Sequence, residues 1–155
     1  MKREGKVTVS DSTCLIALER IGRLELLQKV FEEVWVPPAV LKEVGQVPGW
    51  IAVISPTNWE FVQELKKLLG EGEAEAIALA KERGAEIILD DKRARRVAKE
   101  QGLKVVGTLG VLIRARSKGI VRSVSKILSE LESKGFFRQR GAEGGDLEDG
   151  RGEVI

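Results

Sequence analysis

Residues 87–95, IILDDKRAR, place two adjacent aspartates between an apolar run and a basic segment. The apolar run predicts a buried strand over 86–89, and a helix is predicted over 92–100, ending before Gly102. Strands that alternate with helices pair in parallel and have helices on both faces of the sheet. Ligands of such sheets bind beyond the carboxyl ends of the strands, where Asp90 and Asp91 lie.

An acid also follows the first apolar run of the chain. Residues 7–9, VTV, predict a buried strand, and Asp11 comes just after it. Carboxylates gathered at one edge of a sheet repel each other and cost free energy unless a cation lies among them. Asp11 also suits the N-cap of the next helix, and Asp90 or Asp91 suits that of helix 92–100. One of the adjacent pair could cap while the other binds a metal, and the sequence leaves open which does which.

The other predicted elements continue the alternation of strands and helices. Further strands are predicted over 6–10, 34–36 and 103–106, and residues 50–54 are predicted to form another strand or an extended connection. Further helices are predicted over 13–31 with a break at Gly22, and over 38–45, 58–69, 72–83, 108–117 and 123–134. The pattern predicts an α/β fold with a central parallel sheet of about four or five strands. Residues 1–140 are expected to form one domain, and the acidic, glycine-rich tail 141–155 is expected to be mobile unless a partner orders it.

The composition limits the chemistry that is available. The 155 residues include no histidine, which removes the usual imidazole base and the Ser-His and Cys-His nucleophile pairs. Hard oxygen ligands remain, and these suit Mg²⁺ or Mn²⁺. The single cysteine, Cys14, is expected to be a core thiol in a reducing cytoplasm. We expect no signal peptide, because no apolar h-region follows the charged residues 1–6, and no membrane span, because no apolar run approaches about 20 residues.

The formal net charge of +2 conceals an uneven distribution. The tail 141–155 has five acids and one base, so residues 1–140 have 25 bases against 19 acids. The segment 92–122 has ten bases and one acid, and it begins directly after Asp91. A positive field beside an acidic centre suits an enzyme that acts on a polyanion, although solvated helix faces would give the same pattern. The acidic tail could compete with a polyanion for this basic segment.

Two glutamates are further candidates. Glu43 borders the apolar face of helix 38–45, and it would suit the surface equally well. Glu73 lies in the first turn of its helix together with Glu75, where acids interact favourably with the helix dipole. Trp35, Trp50 and Trp59 could stack bases, but their positions in strands and on an apolar helix face favour core packing.

Five segments taken in order resemble one family. They are VSDSTCLI (9–16), VPPAVLKEV (36–44), LGEGEAEAIALA (69–80), IILDDKRAR (87–95) and VVGTLGVL (105–112). Together they resemble the PIN-domain family over residues 7 to 137. These are small metal-dependent nucleases, and they include the ribonuclease toxins of toxin–antitoxin pairs. The commonest toxins have an aspartate where this chain has Glu73, and a threonine where it has Leu89.

The resemblance implies a three-layer α/β/α domain and assigns the candidate residues. The catalytic and metal-binding set would be Asp11, Glu43, Glu73, Asp90 and Asp91, holding one or two Mg²⁺ or Mn²⁺ ions. Ser12 or Thr13 and Thr108 would contribute hydroxyls, and Lys92, Arg93 and Arg96 would contact phosphates. The resemblance also implies an RNA substrate, a homodimer and a small antitoxin as a protein partner.

The sequence therefore predicts a Mg²⁺- or Mn²⁺-dependent endoribonuclease of the cytoplasm that hydrolyses RNA phosphodiesters. An alternative is a catalytically weak PIN-like module that binds RNA or protein. Phosphoryl chemistry on Asp11 is a weaker alternative, because residues 11–13, DST, lack the second aspartate that aspartate-nucleophile phosphatases place two residues after the first.

Overall fold

A computed structural model, which describes residues 6–137, contains a sheet of five parallel strands in the order β3-β2-β1-β4-β5. The strands are β1 (Val7–Ser10), β2 (Glu33–Val36), β3 (Ile51–Val53), β4 (Glu86–Ile88) and β5 (Val105–Val106). All four neighbouring pairs are parallel. The parallel sheet predicted from the sequence is confirmed.

Eight helices connect and follow the strands within residues 6–137. They are α1 (Ser12–Arg20), α2 (Leu26–Val30), α3 (Pro38–Val44), α4 (Trp59–Lys66), α5 (Glu71–Arg83), α6 (Lys92–Glu100), α7 (Thr108–Ser117) and α8 (Val124–Ser133). The break predicted at Gly22 separates α1 from α2, and Gly22 has a positive φ of 72° that favours glycine. Pro38 begins α3, as expected for a residue whose missing N–H costs nothing in the first turn.

The helices form a layer on each face of the sheet. One buried cluster joins α1, α2, α3, α7 and α8 to β2, β3 and β5, and the other joins α4, α5 and α6 to β1. Strand β4 contributes to both, because Ile87 faces one cluster and Ile88 the other, as the alternation of side chains along a strand requires. The predicted three-layer α/β/α architecture is confirmed.

Strands β1 and β4, which pair in the middle of the sheet, bring Asp11 and Asp90 to the same edge. Ser10 of β1 pairs with Ile88 of β4, and the Asp11 N–H donates to the Ile88 carbonyl at 3.1 Å. Both strands end there. The C-terminal edge of the sheet is therefore the place where Asp11 meets Asp90.

The expectation for Trp59 was wrong. Val62, Leu65 and Leu69 are buried as predicted for the apolar face of this helix, but Trp59 is 45% exposed. Trp59 is the first residue of α4 and lies a full turn before Val62, outside the packed part of the helix. Trp35 and Trp50 are half-buried against the two clusters, which agrees with core packing.

None of the helices between Lys6 and Phe137 combines the length and apolar character that crossing a bilayer requires. The boundary predicted at residue 140 and the acidic tail 141–155 lie outside the described residues.

Candidate metal centre

Asp11 is fixed at the end of β1 by two backbone groups. Its Oδ1 accepts the Cys14 N–H at 3.1 Å, so Asp11 is the N-cap of α1. Its Oδ2 accepts the Asp90 N–H at 3.3 Å, which ties the ends of β1 and β4 together. Only 4% of Asp11 is exposed. Both sequence interpretations therefore apply to Asp11, because it caps a helix and also lies against the next candidate acid.

Asp90 and Asp91, which the sequence could not separate, have different surroundings. Asp91 is exposed and caps α6, with Oδ2 accepting the Ala94 N–H at 2.9 Å. Asp90 is half-buried and faces the start of α7, where its Oδ1 accepts the Thr108 N–H at 2.8 Å. Its Oδ2 accepts the Thr108 hydroxyl at 2.6 Å. Asp90 thus caps α7 from a distance, in place of the N-cap residue Gly107, which has no side chain.

Glu73 lies in the first turn of α5 and is half-buried. Gly70 is the N-cap of α5, and its backbone N–H opposes part of the rise in the pKa of Glu73, which occupies the glutamate position of a capping box. Glu73 is also close enough to Asp91 and Glu43 for both to raise its pKa. The first turn of α5 therefore faces both α6 and α3.

Glu43, near the end of α3, lies against the same turn of α5. A Cβ placed on Gly72 would be 2.7 Å from Glu43 Oε1 and 3.1 Å from its Cδ. Only glycine leaves room for the carboxylate in this position. The helix predicted over 72–83 begins one residue earlier, at Glu71, so Gly72 lies in the first turn of α5, where the absence of a side chain leaves space for Glu43.

The N-termini of four helices converge on this edge of the sheet. Asp11 caps α1, Asp91 caps α6 and Asp90 caps α7 through hydrogen bonds, and Glu73 lies in the first turn of α5. Each helix N-terminus has a partial positive charge that favours a nearby anion, typically by about 0.3–1 kcal/mol. The helices therefore partly offset the repulsion among the acids, which allows the cluster to exist in a folded chain.

The remaining repulsion is visible in the pKa values. Burial, and then the carboxylate of Asp90, raise the pKa of Asp11 well above its ordinary value, with a smaller contribution from Glu73. Burial, Asp91 and Glu43 raise the pKa of Glu73. The five predicted acids are thus in electrostatic contact through Asp11 and Glu73, although up to 80 residues separate them along the chain. We call Asp11, Glu43, Glu73, Asp90 and Asp91 the acidic cluster.

The donors of the acidic cluster fit a hard divalent cation, because carboxylate and hydroxyl oxygens are the ligands that Mg²⁺ and Mn²⁺ prefer. Their mutual repulsion favours a cation as well. Within residues 6–137, however, no group of three or more acidic or thiol side chains already has the arrangement of a metal site. The chemistry fits, and binding would require side chains of the cluster to close around the ion.

Cys14 is fully buried beside the acidic cluster, which confirms the expectation of a core thiol. Burial raises the pKa of its thiol well above the ordinary value, and the charges of Asp90 and Asp11 raise it further. The thiol is therefore kept neutral next to the carboxylates.

The sequence did not identify Glu75 as a structural residue. Glu75 is buried among the alanines of α5, and its Oε1 accepts the Ala39 N–H at 2.9 Å. This N–H lies in the first turn of α3, whose N-cap Pro37 has no side chain able to cap. An acid within a run as apolar as 74–80 needs a partner, and this was the signal in the sequence.

Arg95 is a second residue that the sequence analysis overlooked. Only 6% of it is exposed, and its Nη1 donates to the Leu89 carbonyl at 2.8 Å. A Cβ on Gly107 would lie 2.8 Å from this nitrogen and 3.0 Å from Asp90 Oδ1, so Gly107 leaves room for both groups. Arg95 therefore places a buried positive charge behind Asp90. In the sequence it borders the apolar positions Ala94 and Ala98.

The predicted phosphate contacts divide between two places. Lys92 and Arg96 line a shallow groove of about 400 Å³ together with Arg95, Lys99 and Glu100. Arg93 instead donates from Nη1 to the Leu68 carbonyl at 3.3 Å. Among the predicted hydroxyl groups, Thr108 contacts Asp90, while Ser12 is half-buried and Thr13 exposed in the first turn of α1.

The metal-free protein is expected to lose stability as the pH rises. The raised pKa values of Asp11 and Glu73 mean that the folded state binds their protons more tightly than the unfolded state does. The contribution of these two groups to the free energy of unfolding should therefore be largest below about pH 4. It should fall as the pH rises through their folded-state pKa values.

Urea unfolding of wild type and Asp11→Asn in EDTA, from pH 5 to 8, measures this effect. The variant should gain stability relative to wild type toward pH 8, while Asp91→Asn should gain less, because Asp91 is exposed and its charge acts on Glu73. A constant difference between wild type and Asp11→Asn across the range would contradict the electrostatic interpretation.

Gly72→Ala should have opposite effects on stability and on metal binding. Alanine is favoured over glycine within a helix by up to about 1 kcal/mol, and the exposed Glu43 can move away at little cost. The added methyl would, however, displace the Glu43 carboxylate from the acidic cluster. We expect an increase in the free energy of unfolding of about 0.5–1 kcal/mol and Mn²⁺ binding that is several-fold weaker, measured by urea unfolding and titration calorimetry.

Gly49→Ala is the matched control, because a Cβ there meets nothing within 4 Å. Unchanged Mn²⁺ affinity in Gly72→Ala would remove Glu43 from the set of metal ligands.

Comparison with known proteins identifies the family of the chain. A search of curated protein sequences found none that matches the chain. A family model described as a PIN domain matches residues 7–142. Since this match spans most of the 155 residues and the fold agrees with it, the chain belongs to the PIN-domain family.

Proposed function

We propose that this protein is a Mg²⁺- or Mn²⁺-dependent endoribonuclease. PIN domains are generally nucleases and typically use divalent metal ions. The chain itself supports the proposal through the acidic cluster at the C-terminal edge of the sheet, the absence of histidine and the basic groove on α6.

The observation that most supports a metal centre is the mutual repulsion within the acidic cluster. Four helix N-termini oppose this repulsion, yet burial first, and then the neighbouring carboxylates, still raise the pKa values of Asp11 and Glu73. A purely structural set of helix caps gains nothing from lying close together, since each cap needs only its own helix. The proximity of the carboxylates therefore has a cost that a bound cation would remove.

Asp11 and Asp90 would be the fixed ligands, because backbone and hydroxyl donors hold both carboxylates in place. Glu43 and Glu73 would complete the set by turning toward them, since both have longer side chains at the rim of the cluster. A divalent ion bound there would supply an activated water and positive charge for the phosphate under attack.

The residues around the ligands would have supporting roles. Thr108 orients the Asp90 carboxylate through its N–H and hydroxyl, and Asp91 keeps the start of α6 in place. Lys92 and Arg96, at the start of the basic groove, would hold the RNA backbone near the cluster. Of the three predicted phosphate contacts, Arg93 has the least support, because its guanidinium donates a hydrogen bond to the Leu68 carbonyl.

A toxin role, with neutralisation by a small antitoxin, extends this proposal, as do a homodimeric assembly and a cytoplasmic location. They rest on the resemblance to toxin ribonucleases of the family. Co-expression with the product of a neighbouring small gene, followed by a growth assay, tests the toxin role separately from nuclease activity.

A second candidate function is RNA or protein binding with little turnover. One observation favours it: among the described residues, the acids do not already have the arrangement of a metal site. The glutamate at position 73, where the commonest toxins have an aspartate, points the same way.

Cleavage of a circular single-stranded RNA separates the two functions. A circle has no ends, so only an endonuclease converts it to a linear product. We expect linear RNA to appear with Mn²⁺ or Mg²⁺ and to be absent in EDTA. If the circle survives a molar excess of protein with either ion while RNA binding is detectable, the binding module is the correct function.

A further inference from the structure

The two sides of the acidic cluster differ in charge. In the order of the strands, β1 and its Asp11 lie between β2, which leads into α3, and β4, which leads into α6. The cluster therefore has α3 on one side and α6 on the other. A nucleic-acid strand that crosses the cluster would meet both sides.

The side formed by α6 is basic. Lys92, Arg95, Arg96 and Lys99 line its groove at the spacing i, i+3, i+4 and i+7, which is one face of a helix. The opposite face is buried through Ala94, Val97 and Ala98, so the helix cannot rotate to another orientation. Lys92 directly follows Asp91, and Glu100 lies at the far end of the groove. The basic face thus begins at the acidic cluster.

The side formed by α1 and α3 has the opposite character. A groove of about 720 Å³ lies between α1, α3 and the segment that follows α3, and Glu43 of the acidic cluster forms part of its wall. Its charged lining residues are Arg20 and three glutamates: Glu19, Glu25 and Glu43. The other lining residues include apolar side chains such as Leu15 and Trp50. A phosphate in this groove would meet more negative than positive charge.

We propose that the protein holds the backbone phosphates of a single strand on the α6 side of the cluster only. This proposal rests on the proposed ribonuclease function and adds the path of the substrate. From Lys92 to Lys99, at about 1.5 Å per residue, the basic face is about 10 Å long. At about 3.4 Å per nucleotide in a stacked strand, this length matches about three phosphates.

Arg96 and Lys99 are the residues that test the path. Both are exposed on α6, so glutamine at these positions should leave the fold intact. Lys104 and Arg116 are the matched control, because they have the same charges but lie elsewhere. Lys104 precedes β5 and Arg116 lies in the last turn of α7, both at the opposite edge of the sheet from the cluster.

The experiment measures binding of a fluorescein-labelled 12-nucleotide single-stranded RNA by anisotropy, in EDTA so that no cleavage occurs, from 50 to 200 mM salt. Each phosphate contact with a single strand contributes about 0.7 to the slope of log affinity against log salt. Arg96→Gln/Lys99→Gln should bind about tenfold more weakly at 50 mM salt and lower the slope by about 1.4. Lys104→Gln/Arg116→Gln should bind like wild type.

Glu19→Gln/Glu25→Gln tests the other side of the cluster. If phosphates avoid the α1–α3 groove, this variant should change RNA affinity less than twofold. The proposal is overturned if the α6 variant and the control have equal salt slopes. It is also overturned if Glu19→Gln/Glu25→Gln strengthens RNA binding by the same factor by which Arg96→Gln/Lys99→Gln weakens it.

The result also separates this inference from the proposed function. RNA that binds along α6 but is never cleaved would leave the binding path standing and remove the ribonuclease. Cleavage of circular RNA with equal salt slopes in all variants would remove the binding path alone.

Discussion

Asp11→Asn is expected to reduce metal-dependent RNA cleavage by at least about 100-fold. Asparagine retains an oxygen that can accept the Cys14 N–H, so the cap of α1 survives, but its amide nitrogen cannot accept the Asp90 N–H. The substitution removes the negative charge at the centre of the acidic cluster, where Asp11 lies against Asp90. Initial cleavage rates of circular RNA in Mn²⁺ measure the loss of activity, and urea unfolding of the same variant shows whether the protein remains folded under the assay conditions.

Asp91→Asn provides the comparison for Asp11→Asn. The change is chemically identical, but Asp91 is exposed and caps α6, a role that asparagine performs equally well. We expect a loss of activity at least tenfold smaller than for Asp11→Asn. Equal losses in the two variants would mean that the structure has assigned their roles incorrectly, and equal activity of wild type and Asp11→Asn would exclude Asp11 from the reaction.

Glu73→Ala and Glu75→Ala should separate function from stability within a single helix turn. Glu75→Ala leaves the buried Ala39 N–H without its acceptor and opens a space in a buried helix, so we expect a loss of about 2 kcal/mol in the free energy of unfolding. Glu73→Ala loses the favourable interaction of an acid with the first turn of α5 but also removes repulsion with Asp91 and Glu43, so its stability should change by less than about 1 kcal/mol.

Metal binding should show the reverse order. Glu73→Ala should weaken Mn²⁺ binding at least tenfold, whereas folded Glu75→Ala should bind like wild type. Urea unfolding in EDTA and Mn²⁺ titration calorimetry measure the two properties on the same samples. A stable Glu75→Ala variant, or a Glu73→Ala variant that binds Mn²⁺ normally, would contradict the division between the two glutamates.

Most of the fold was predictable because the residues that begin and end its helices and strands lie close to them in the sequence. Apolar runs bounded by glycine or proline gave the five strands and the helices, and Asp11 and Asp90 were placed by the strands that precede them. Strand β5 is shorter than predicted: only Val105 and Val106 form it, although the Lys104 carbonyl still accepts the Ile87 N–H. The ends of an edge strand depend on its neighbour, which the local pattern does not contain.

The details of the acidic cluster depend on contacts between distant segments. Asp90 and Asp91 could not be separated because each lies just before α6, and only the position of Thr108, 18 residues later, distinguishes them. The sequence does not reveal why position 72 is a glycine, because Glu43, for which it leaves space, lies on another helix. Arg95 was counted with the surface charges, since composition contains no information about burial.

The central claim is that the acidic cluster is a metal site, and Mn²⁺ titration calorimetry on wild type and Asp11→Asn tests it most directly. Both proteins would be freed of metal with EDTA, dialysed together and titrated at the same pH and ionic strength. The structure predicts saturable binding to wild type that weakens at least tenfold in Asp11→Asn. No binding to wild type, or equal binding to both proteins, would contradict the claim.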